Sequence, residues 1–441
     1  MGGSSTEGAN GGQSGVYGTL GVASTGNVPG AREKAVSWTD NSGNFWLFGG
    51  LGYDSTGTDG ALNDLWEFSP TTKEWTWVSG SNVGNASGVY GTLGAASASS
   101  VPGARESAIS WIDTSGNLWL FGGDGNVSAG EAGGFLNDLW EYSPSAKTWT
   151  WVSGSNTGYA NGVYGTKGSA SASNVPSARE NALSWTDTRG NLWLFGGGVF
   201  SLMTSNFDEV NDLWEFSPAT KEWTWISGSN VGNANGVYGT LGVASANNVP
   251  GARESAVSWT DTSGNLWLFG GSGIDSTQDA GLFYDLWEFT PATKEWTWVS
   301  GNSTGSASVT GNPGVGTGAV SWKDSGGNLW LFGGDGFTAG ENLGYLELLN
   351  ELWEFKPSTN EWTLVWGGNT PCPVGVNCIY YPGTLGVYGT QGVASASNAP
   401  ADRTGAVSWT DNSGNYWLFG GHGYDSTGAL GQLNDLWKYQ P

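Results

Sequence analysis

The most constraining feature of this 441-residue chain is a repeated segment of five residues, Trp-Leu-Phe-Gly-Gly. The segment occurs six times, and its second glycine falls at positions 50, 123, 197, 271, 334 and 421. Successive copies are therefore 73, 74, 74, 63 and 87 residues apart. Self-similarity at a nearly fixed spacing is typical of solenoids and propellers, in which each repeat is one supersecondary unit.

Each repeat contains four short apolar runs with the character of β-strands. In the fourth repeat the runs are Ala256–Trp259, Asn265–Gly271, Asp285–Phe289 and Glu295–Val299. They are rich in β-branched and aromatic residues and are bounded by turn residues. The Asp-Thr-Ser-Gly-Asn segment at 261–265 predicts a tight hairpin between the first two runs. The pattern predicts an all-β chain in which each repeat forms a four-stranded blade.

We predict one β-propeller domain over residues 1–441, in which residues 1–32 form an N-terminal segment and an inter-blade loop. The predicted blades span approximately residues 33–79, 106–153, 180–227, 254–300, 317–366 and 404–441. The sixth repeat ends at Pro441 without a Trp-Thr-Trp strand. We therefore expect a three-stranded sixth blade, in a chain that is a fragment or processed form of a longer protein.

The N-terminus is where a closing strand would be expected. Aligning the Val-Tyr-Gly-Thr segments at 16 and 89 places Gly2 and Ser4 where Trp75 and Trp77 stand. Glycine and serine are poor strand formers, because ordering them costs entropy and buries little apolar surface. We therefore expect no regular fourth strand from these residues.

The Gly-Gly doublet, the aromatic residue of the third run and the tryptophan of the fourth resemble the kelch repeat. The resemblance covers all six repeats and is to the kelch propellers of bacterial extracellular proteins. It implies a six-bladed β-propeller of four-stranded kelch-like blades and a secreted or cell-surface location. Kelch repeats usually have about 50 residues, and these are longer.

Long loops between the repeats account for the extra length. Val-Tyr-Gly-Thr recurs in them at positions 16, 89, 163, 237 and 387. Loops this long are uncommon unless they are functional or packed on themselves. We predict that they form an ordered decoration around one face.

The formal net charge is −24, with only 15 Lys and Arg residues. Binding of phosphate needs a basic surface, so this charge argues against nucleic acid as a partner. No apolar stretch of about 18 residues occurs, which predicts no membrane insertion. Residues 1–12 have neither a basic start nor an apolar run, so no signal peptide is predicted in this chain.

Five of the six arginines occupy one equivalent position just before the first run of a repeat. They are Arg32, Arg105, Arg179, Arg253 and Arg403. One interpretation is a ring of guanidinium groups that binds anions near the axis. The favoured interpretation is a structural ion pair in each blade with an aspartate of the third run. The candidate aspartates are Asp64, Asp138, Asp212, Asp285 and Asp435.

The two cysteines, Cys372 and Cys378, lie in one Pro-, Val- and Gly-rich loop without the partners of a zinc site. A disulfide between them is the favoured interpretation and implies an oxidising compartment, and free thiols are the alternative. Acidic loops after the Gly-Gly doublets, beginning at Asp54, Asp275 and Asp425, suggest either Ca²⁺ ligands or solvated turns. Solvated turns are favoured, and no other cofactor is predicted.

The repeats depart from one another at places that are candidates for ligand contact or for neutral drift after duplication. The third repeat has an apolar loop with Phe200 and Met203, and the connection to the sixth contains Tyr380 and Tyr381. The fifth replaces Arg-Glu by Gly-Thr at 316–317, and the sixth carries the one histidine, His422. The candidate binding residues are Phe200, Met203, Tyr380, Tyr381 and His422.

Galactose oxidase is the enzyme built on kelch blades, and its copper is held by histidines and tyrosines. One histidine cannot form that site, and no catalytic triad or phosphate-binding loop is visible. We expect a non-catalytic extracellular or surface module, possessing a loop-decorated face that recognises protein or carbohydrate. The alternatives are a carbohydrate-active enzyme with two carboxylates at the channel mouth, and a structural unit of a larger surface protein.

Overall fold

The computed structural model describes residues 2–6, 8, 11–131, 133–201, 206–305, 312–336, 347–367 and 384–441. Within these ranges the regular elements are all β-strands, which confirms the predicted all-β class. No helix long and apolar enough to cross a membrane occurs in this part of the chain. The strands pair antiparallel in twelve sheets, one large and one small sheet for each repeat.

The large sheets are formed by the apolar runs identified in the sequence, paired in chain order. Their strands are Val36–Thr39, Phe45–Phe48, Leu65–Ser69 and Glu74–Ser79; Ile109–Ile112, Leu118–Phe121, Leu139–Ser143 and Thr148–Ser153; Leu183–Thr186, Leu192–Phe195, Leu213–Ser217 and Glu222–Ser227; Val257–Thr260, Leu266–Phe269, Leu286–Thr290 and Glu295–Ser300; Val320–Lys323, Leu329–Phe332, Leu352–Lys356 and Glu361–Trp366; Val407–Thr410, Tyr416–Phe419 and Leu436–Tyr439. Repeated antiparallel sheets of this kind are typical of β-propellers.

The apolar core lies between successive large sheets. One cluster of buried side chains contains Trp193 of the third sheet and Trp287 of the fourth. Another joins the first sheet to the sixth, where the rings of Phe45 and Trp409 stack with their centroids 5.2 Å apart. The second strand of each large sheet is buried at every position, because neighbouring sheets cover both of its faces.

The small sheets have three strands each and precede or interrupt the large sheets along the chain. Their strands are Arg32–Glu33, Leu51–Tyr53 and Asp59–Ala61; Arg105–Glu106, Asp124–Gly125 and Gly134–Phe135; Arg179–Glu180, Gly198–Ser201 and Asn206–Glu209; Arg253–Glu254, Ser272–Ile274 and Ala280–Leu282; Val315–Thr317, Asp335–Gly336 and Glu347–Leu348; Arg403–Thr404, His422–Tyr424 and Leu430–Gln432. These strands were not predicted from the sequence, because strands so short and rich in Gly and Asp carry no alternating apolar pattern.

The sixth large sheet has three strands, as expected. Gly2 makes an isolated antiparallel bridge to Leu436, whose amide donates to Gly2 O at 3.0 Å. Ser79 takes this position in the first repeat, opposite Leu65. The predicted alignment of Gly2 with Trp75 was therefore wrong by four residues, because the loop from Gly2 to the Val-Tyr-Gly-Thr segment is that much longer than the loop after Ser79.

Candidate functional site

A closed ring of main-chain hydrogen bonds lies where each small sheet passes into its large sheet. Each amide donates to the carbonyl of the equivalent residue in the preceding repeat, over 2.7–3.4 Å. Lys34 N donates to Gly405 O at 2.7 Å, which joins the first repeat to the sixth. All six residues have positive φ angles, between 52° and 69°. The ring consists of Lys34, Ser107, Asn181, Ser255, Gly318 and Gly405.

A second ring is formed by serine side chains in the first strands of the large sheets. Ser37 Oγ donates to Ser408 O at 3.2 Å, and Ser110 Oγ donates to Ser37 O at the same distance. The other members are Ser184, Ser258, Ser321 and Ser408, each donating to the preceding repeat. Beside this ring lies a cavity of about 340 Å³, lined by serine, tryptophan and Thr or Ile side chains of the first four repeats.

Carboxylates concentrate around the main-chain ring. In the first four repeats a glutamate directly precedes the residue of the main-chain ring. In the second and fifth repeats the residue that follows Gly-Gly is an aspartate. We call this group, with its two basic members, the axial cluster. It consists of Glu33, Glu106, Asp124, Glu180, Glu254, Asp335, Lys34 and His422.

Contacts in the axial cluster cross between repeats. Lys34 Nζ lies 3.4 Å from Glu106 Oε2 of the next repeat. Glu33 Oε1 lies 4.0 Å from His422 Nδ1 and accepts a hydrogen bond of 3.4 Å from Gln432 Nε2. The structure therefore places His422, predicted as a binding residue, beside a carboxylate of the first repeat.

Burial raises the pKa of several acids of the axial cluster. Burial raises the pKa of Glu180 to about 7, with further contributions from the charges of Glu254 and Asp124. Burial also raises the pKa values of Glu106, Asp124 and Glu254. Part of the cluster therefore exchanges protons near neutral pH, which is a property of acid–base sites and of cation-binding sites.

An aromatic patch adjoins the axial cluster on the second and third small sheets. It consists of Phe135, Tyr159, Phe200 and Phe207. The ring of Phe207 lies 5.1 Å from Phe135 and 5.4 Å from Phe200, and it is 64% exposed. Phe200 also lies 5.2 Å from Tyr159. Of the predicted binding residues, Phe200 therefore belongs to a group of rings in which Phe207 is exposed, Phe200 is half-buried and Phe135 is buried.

The aromatic patch and the axial cluster are contiguous. Asp124 is the direct cross-strand partner of Phe135 in the second small sheet. Burial raises the pKa of Tyr159, and the negative charges of Asp124 and Glu180 raise it further. One surface therefore presents the exposed ring of Phe207, backed by the half-buried rings of Phe200 and Tyr159, beside carboxylates. Phe207 and Tyr159 were not predicted from the sequence, and the position of Tyr159 is occupied by asparagine in the first and third repeats, at Asn85 and Asn233.

The five repeated arginines lie in buried ion pairs with the aspartates proposed for them, and not in an open ring. Arg253 Nη1 and Nη2 donate to Asp285 Oδ1 and Oδ2 at 2.6 and 2.9 Å. Asp285 Oδ2 also accepts from Tyr238 Oη at 2.6 Å and from Trp287 Nε1 at 2.7 Å. The same groups recur as Arg32–Asp64–Tyr17–Trp66, Arg105–Asp138–Tyr90–Trp140, Arg179–Asp212–Tyr164–Trp214 and Arg403–Asp435–Tyr388–Trp437.

The tyrosine of each Val-Tyr-Gly-Thr loop is thus a partner of the ion pair, which sequence reasoning did not identify. A signal was available in the fifth repeat, where the arginine, the aspartate and the Val-Tyr-Gly-Thr segment are all missing. Glu351 stands at the aspartate position and accepts from Trp353 Nε1 at 2.8 Å. Burial raises the pKa of Glu351.

The carboxylates of the acidic loops after Gly-Gly accept hydrogen bonds from main-chain amides within turns. Asp54 Oδ1 accepts from the amides of Thr56 and Thr58, and Asp275 Oδ1 makes the equivalent bonds with Thr277 and Asp279. Asp425 accepts in the same way in the sixth repeat. Among the described residues, no group of three or more His, Cys, Asp and Glu side chains could hold a metal ion.

Several predicted residues lie outside the described residues. These are Met203, Tyr380, Tyr381, Cys372 and Cys378. The disulfide and the contribution of the two tyrosines therefore stay predictions. No family model and no curated protein matches the chain.

Proposed function

We propose that this chain is a closed six-bladed β-propeller of the kelch type and serves as a non-catalytic, secreted or cell-surface binding module. The closed rings of main-chain and serine hydrogen bonds, each with six members, support the blade number. The order of Gly-Gly doublet, aromatic third strand and Trp-Thr-Trp fourth strand supports the kelch type. The binding face is the side that carries the small sheets.

One observation carries the binding proposal: the 64% exposed ring of Phe207 stands in a group of aromatic side chains beside the carboxylates of the axial cluster. Aromatic side chains are enriched at recognition surfaces, because they offer large rigid contact areas. A few polar groups placed next to them fix the orientation of the ligand. The ligand class is protein or carbohydrate, with an apolar face and hydroxyl or amino donors for the carboxylates.

The test is a binding screen of the chain against arrays of glycans and secreted proteins. Wild-type protein is compared with the double variant Phe200→Ser/Phe207→Ser. The control is Val231→Ser, which removes an apolar side chain that is 66% exposed and lies outside the patch. The proposal expects ligands whose binding is lost in the double variant and kept in the control. Binding that is equal in all three proteins would place recognition elsewhere.

A second candidate function, a carbohydrate-active enzyme, is favoured by the raised pKa of Glu180, which is about 7. A carboxylic acid with a pKa near neutrality can serve as a general acid beside an ionised carboxylate. The assay is hydrolysis of a panel of chromogenic glycosides between pH 4 and pH 9. Activity that is lost in both Glu180→Gln and Glu254→Gln would favour the enzyme over the binding module, and activity that survives both would exclude this acid pair.

A further inference from the structure

The carboxylates of the axial cluster occupy one equivalent place in the small sheets. This place consists of the residue directly before the main-chain ring and its cross-strand partner in the same small sheet. Glu106 pairs there with Asp124, and Thr317 pairs with Asp335. Five of the six repeats therefore contribute at least one carboxylate around the axis of the closed ring.

The chain supplies one alkylammonium group to this cluster, which is the side chain of Lys34. The other five members of the main-chain ring are serine, asparagine or glycine. Lys34 Nζ lies 3.4 Å from Glu106 Oε2 of the next repeat. Burial lowers the pKa of Lys34, but the carboxylates of Glu106 and Glu33 outweigh burial and raise it. An alkylammonium group is thus a cation that this cluster holds.

Lys34 serves more carboxylates than one ammonium group neutralises. Burial raises the pKa of acids in the second to fifth repeats, and the charge of Lys34 offsets part of that rise in each. These acids are Glu106, Asp124, Glu180, Glu254 and Asp335. Among the described residues, the carboxylate of Glu180 has no hydrogen-bond or ion-pair partner. The other basic member of the cluster, His422, lies beside Glu33.

Two buried polar atoms at the cluster also lack partners. Gln432 is the cross-strand partner of His422 and is 8% exposed. Its Nε2 donates to Glu33 Oε1 at 3.4 Å, and its Oε1 has no hydrogen-bond partner in the part of the chain that the structure describes. Ser107 Oγ, in the main-chain ring, is likewise buried and without a partner there. Buried polar atoms are nearly always hydrogen-bonded, so both oxygens indicate a ligand with N–H donors.

The spacing of the carboxylates excludes a metal ion as that ligand. Ca²⁺ takes about six to eight oxygen ligands at about 2.3–2.6 Å. Within the described ranges, no three acidic, His or Cys side chains converge closely enough to hold a metal. Carboxylates that are spread over several repeats are matched by a ligand whose positive charges are also spread out. A linear polyamine has this property, because methylene chains separate its ammonium groups, and each terminal ammonium offers three N–H donors.

We propose that the axial cluster binds a linear polyamine, which places one ammonium group beside Glu180 and Glu254. Asp335 and Glu33 hold a second ammonium group of the same ligand. The N–H groups donate to these carboxylates as charge-assisted hydrogen bonds. The proposal rests on the function proposed above, because it names a ligand class for the carboxylates of the same binding face. It makes no use of the aromatic patch.

The probe is spermine, a linear chain with four amino groups, titrated into the full chain by calorimetry. Burial raises the pKa of Glu180 to about 7, so the titration is done at pH 8, where this carboxylate is ionised. Butylamine, which has one amino group, is the control ligand, and CaCl₂ at equal ionic strength is the competitor. We expect saturable one-to-one binding of spermine, about tenfold or more tighter than that of butylamine, and no displacement by Ca²⁺. No binding, binding without saturation, or displacement by Ca²⁺ would overturn the proposal.

Two double variants remove the same charge from different places. Glu180→Gln/Glu254→Gln removes two carboxylates of the axial cluster, and Asp279→Asn/Glu361→Gln removes two exposed carboxylates outside it. We expect the first to weaken spermine binding by about tenfold or more and the second to change it by less than about twofold, because exposed distant charges are screened. Equal weakening by both variants would mean that spermine responds only to the net charge of the chain, which refutes the proposal.

The variant Lys34→Met should change binding in the opposite direction. Removing this ammonium group leaves Glu106 and Glu33 available to the ligand. We therefore expect spermine to bind about threefold or more tightly than to the wild type. A variant that fails to fold does not produce this gain. Unchanged or weaker binding would mean that Lys34 and the ligand occupy different places, contrary to the proposal.

The variant Phe200→Ser/Phe207→Ser separates this inference from the proposed function. We expect it to keep spermine binding within about twofold of the wild type while it loses the glycan or protein ligands of the screen. Spermine binding together with an empty screen would refute the recognition of protein or carbohydrate and leave the polyamine site standing. Ligands in the screen without spermine binding would refute the polyamine site alone.

Discussion

Arg253 and Asp285 form a two-pronged ion pair, from Nη1 to Oδ1 at 2.6 Å and from Nη2 to Oδ2 at 2.9 Å, in which both side chains are fully buried. The pair links the small sheet of the fourth repeat to the start of the third strand of its large sheet. The buried carboxylate of Asp285 accepts hydrogen bonds from an arginine, a tyrosine and a tryptophan. Its oxygens are therefore satisfied without water. This network fixes the geometry of the repeat, because three donors from different elements converge on the one carboxylate of Asp285.

The first prediction concerns this network. Arg253→Met leaves Asp285 buried without its counter-charge, so we expect the free energy of unfolding to fall by about 3–5 kcal/mol. Adding Asp285→Asn removes the stranded charge and keeps an acceptor for Tyr238 and Trp287, so the double variant should be more stable than the single one. Urea denaturation measures both. The control is Lys221→Met, which removes the exposed lysine of a pair with Glu141 and should cost about 0–1 kcal/mol.

A second prediction compares two glycines with the same backbone conformation. Gly228 and Gly242 have φ angles of 80° and 76°. A Cβ at Gly228 would lie 2.0 Å from Asn211 O, and a Cβ at Gly242 would meet nothing within 4 Å. Gly242→Ala should therefore cost only the left-handed strain, about 1–2 kcal/mol. Gly228→Ala should cost about 1–3 kcal/mol more in the same denaturation experiment, because the Asn211 main chain must move.

The pH dependence of stability tests the axial cluster. The pKa of Glu180 in the folded chain is about 7, above its ordinary value of 4.5. Between these values the folded state binds more protons than the unfolded state, so the contribution of Glu180 to stability falls as the pH rises. Glu180→Gln cannot ionise. We expect it to melt about 1–2 °C above the wild type at pH 8 and at the same temperature at pH 4.

The control for this experiment is Glu361→Gln, an exposed position on the fifth large sheet. It should leave the difference between the melting temperatures at pH 8 and pH 4 unchanged. A Glu180→Gln variant that shows the wild-type pH dependence would mean that Glu180 ionises in the folded chain as it does in the unfolded chain.

A fourth prediction concerns the turn of the sixth large sheet. Burial opposes the ionisation of Asp411, but hydrogen bonds from Trp417 Nε1 and from Asn415 outweigh it and hold its pKa at about 2. A depressed pKa gives stability that is complete above about pH 4 and is lost as the pH falls toward 2. Asp411→Asn should therefore be less stable than the wild type at pH 7, and the difference should shrink toward pH 2 in thermal melts.

Asp279→Asn is the matched control, because it removes a carboxylate from an exposed turn of the fourth small sheet that makes a single side-chain bond to Thr277. Its stability relative to the wild type should be the same at both pH values. A difference for Asp411→Asn that stays constant from pH 7 to pH 2 would contradict the assigned pKa.

The repeats made much of the fold predictable. The aromatic runs, the Asp-initiated hairpins and the three-stranded sixth large sheet follow from local sequence, since each strand carries its own apolar pattern and turn residues. The small sheets do not, because strands of two to four residues such as Asp124–Gly125 and Gly134–Phe135 carry no alternating apolar pattern. The aromatic patch was only partly predictable, since Phe200 meets Tyr159 and Phe207 meets Phe135 through the packing of two repeats.

The tyrosine of each inter-repeat loop indicates which stretch of the chain is copied when a repeat is duplicated. Tyr238 precedes the first strand of its sheet, yet it binds Asp285 at the third strand, and Gly242 of the same loop binds the fourth strand at Trp298. The duplicated module is thus loop and sheet together, residues 228–300, and its boundary lies directly after the fourth strand. A duplication with this boundary copies each loop together with the sheet that it binds. A duplication with its boundary between loop and sheet would separate the tyrosine from its aspartate.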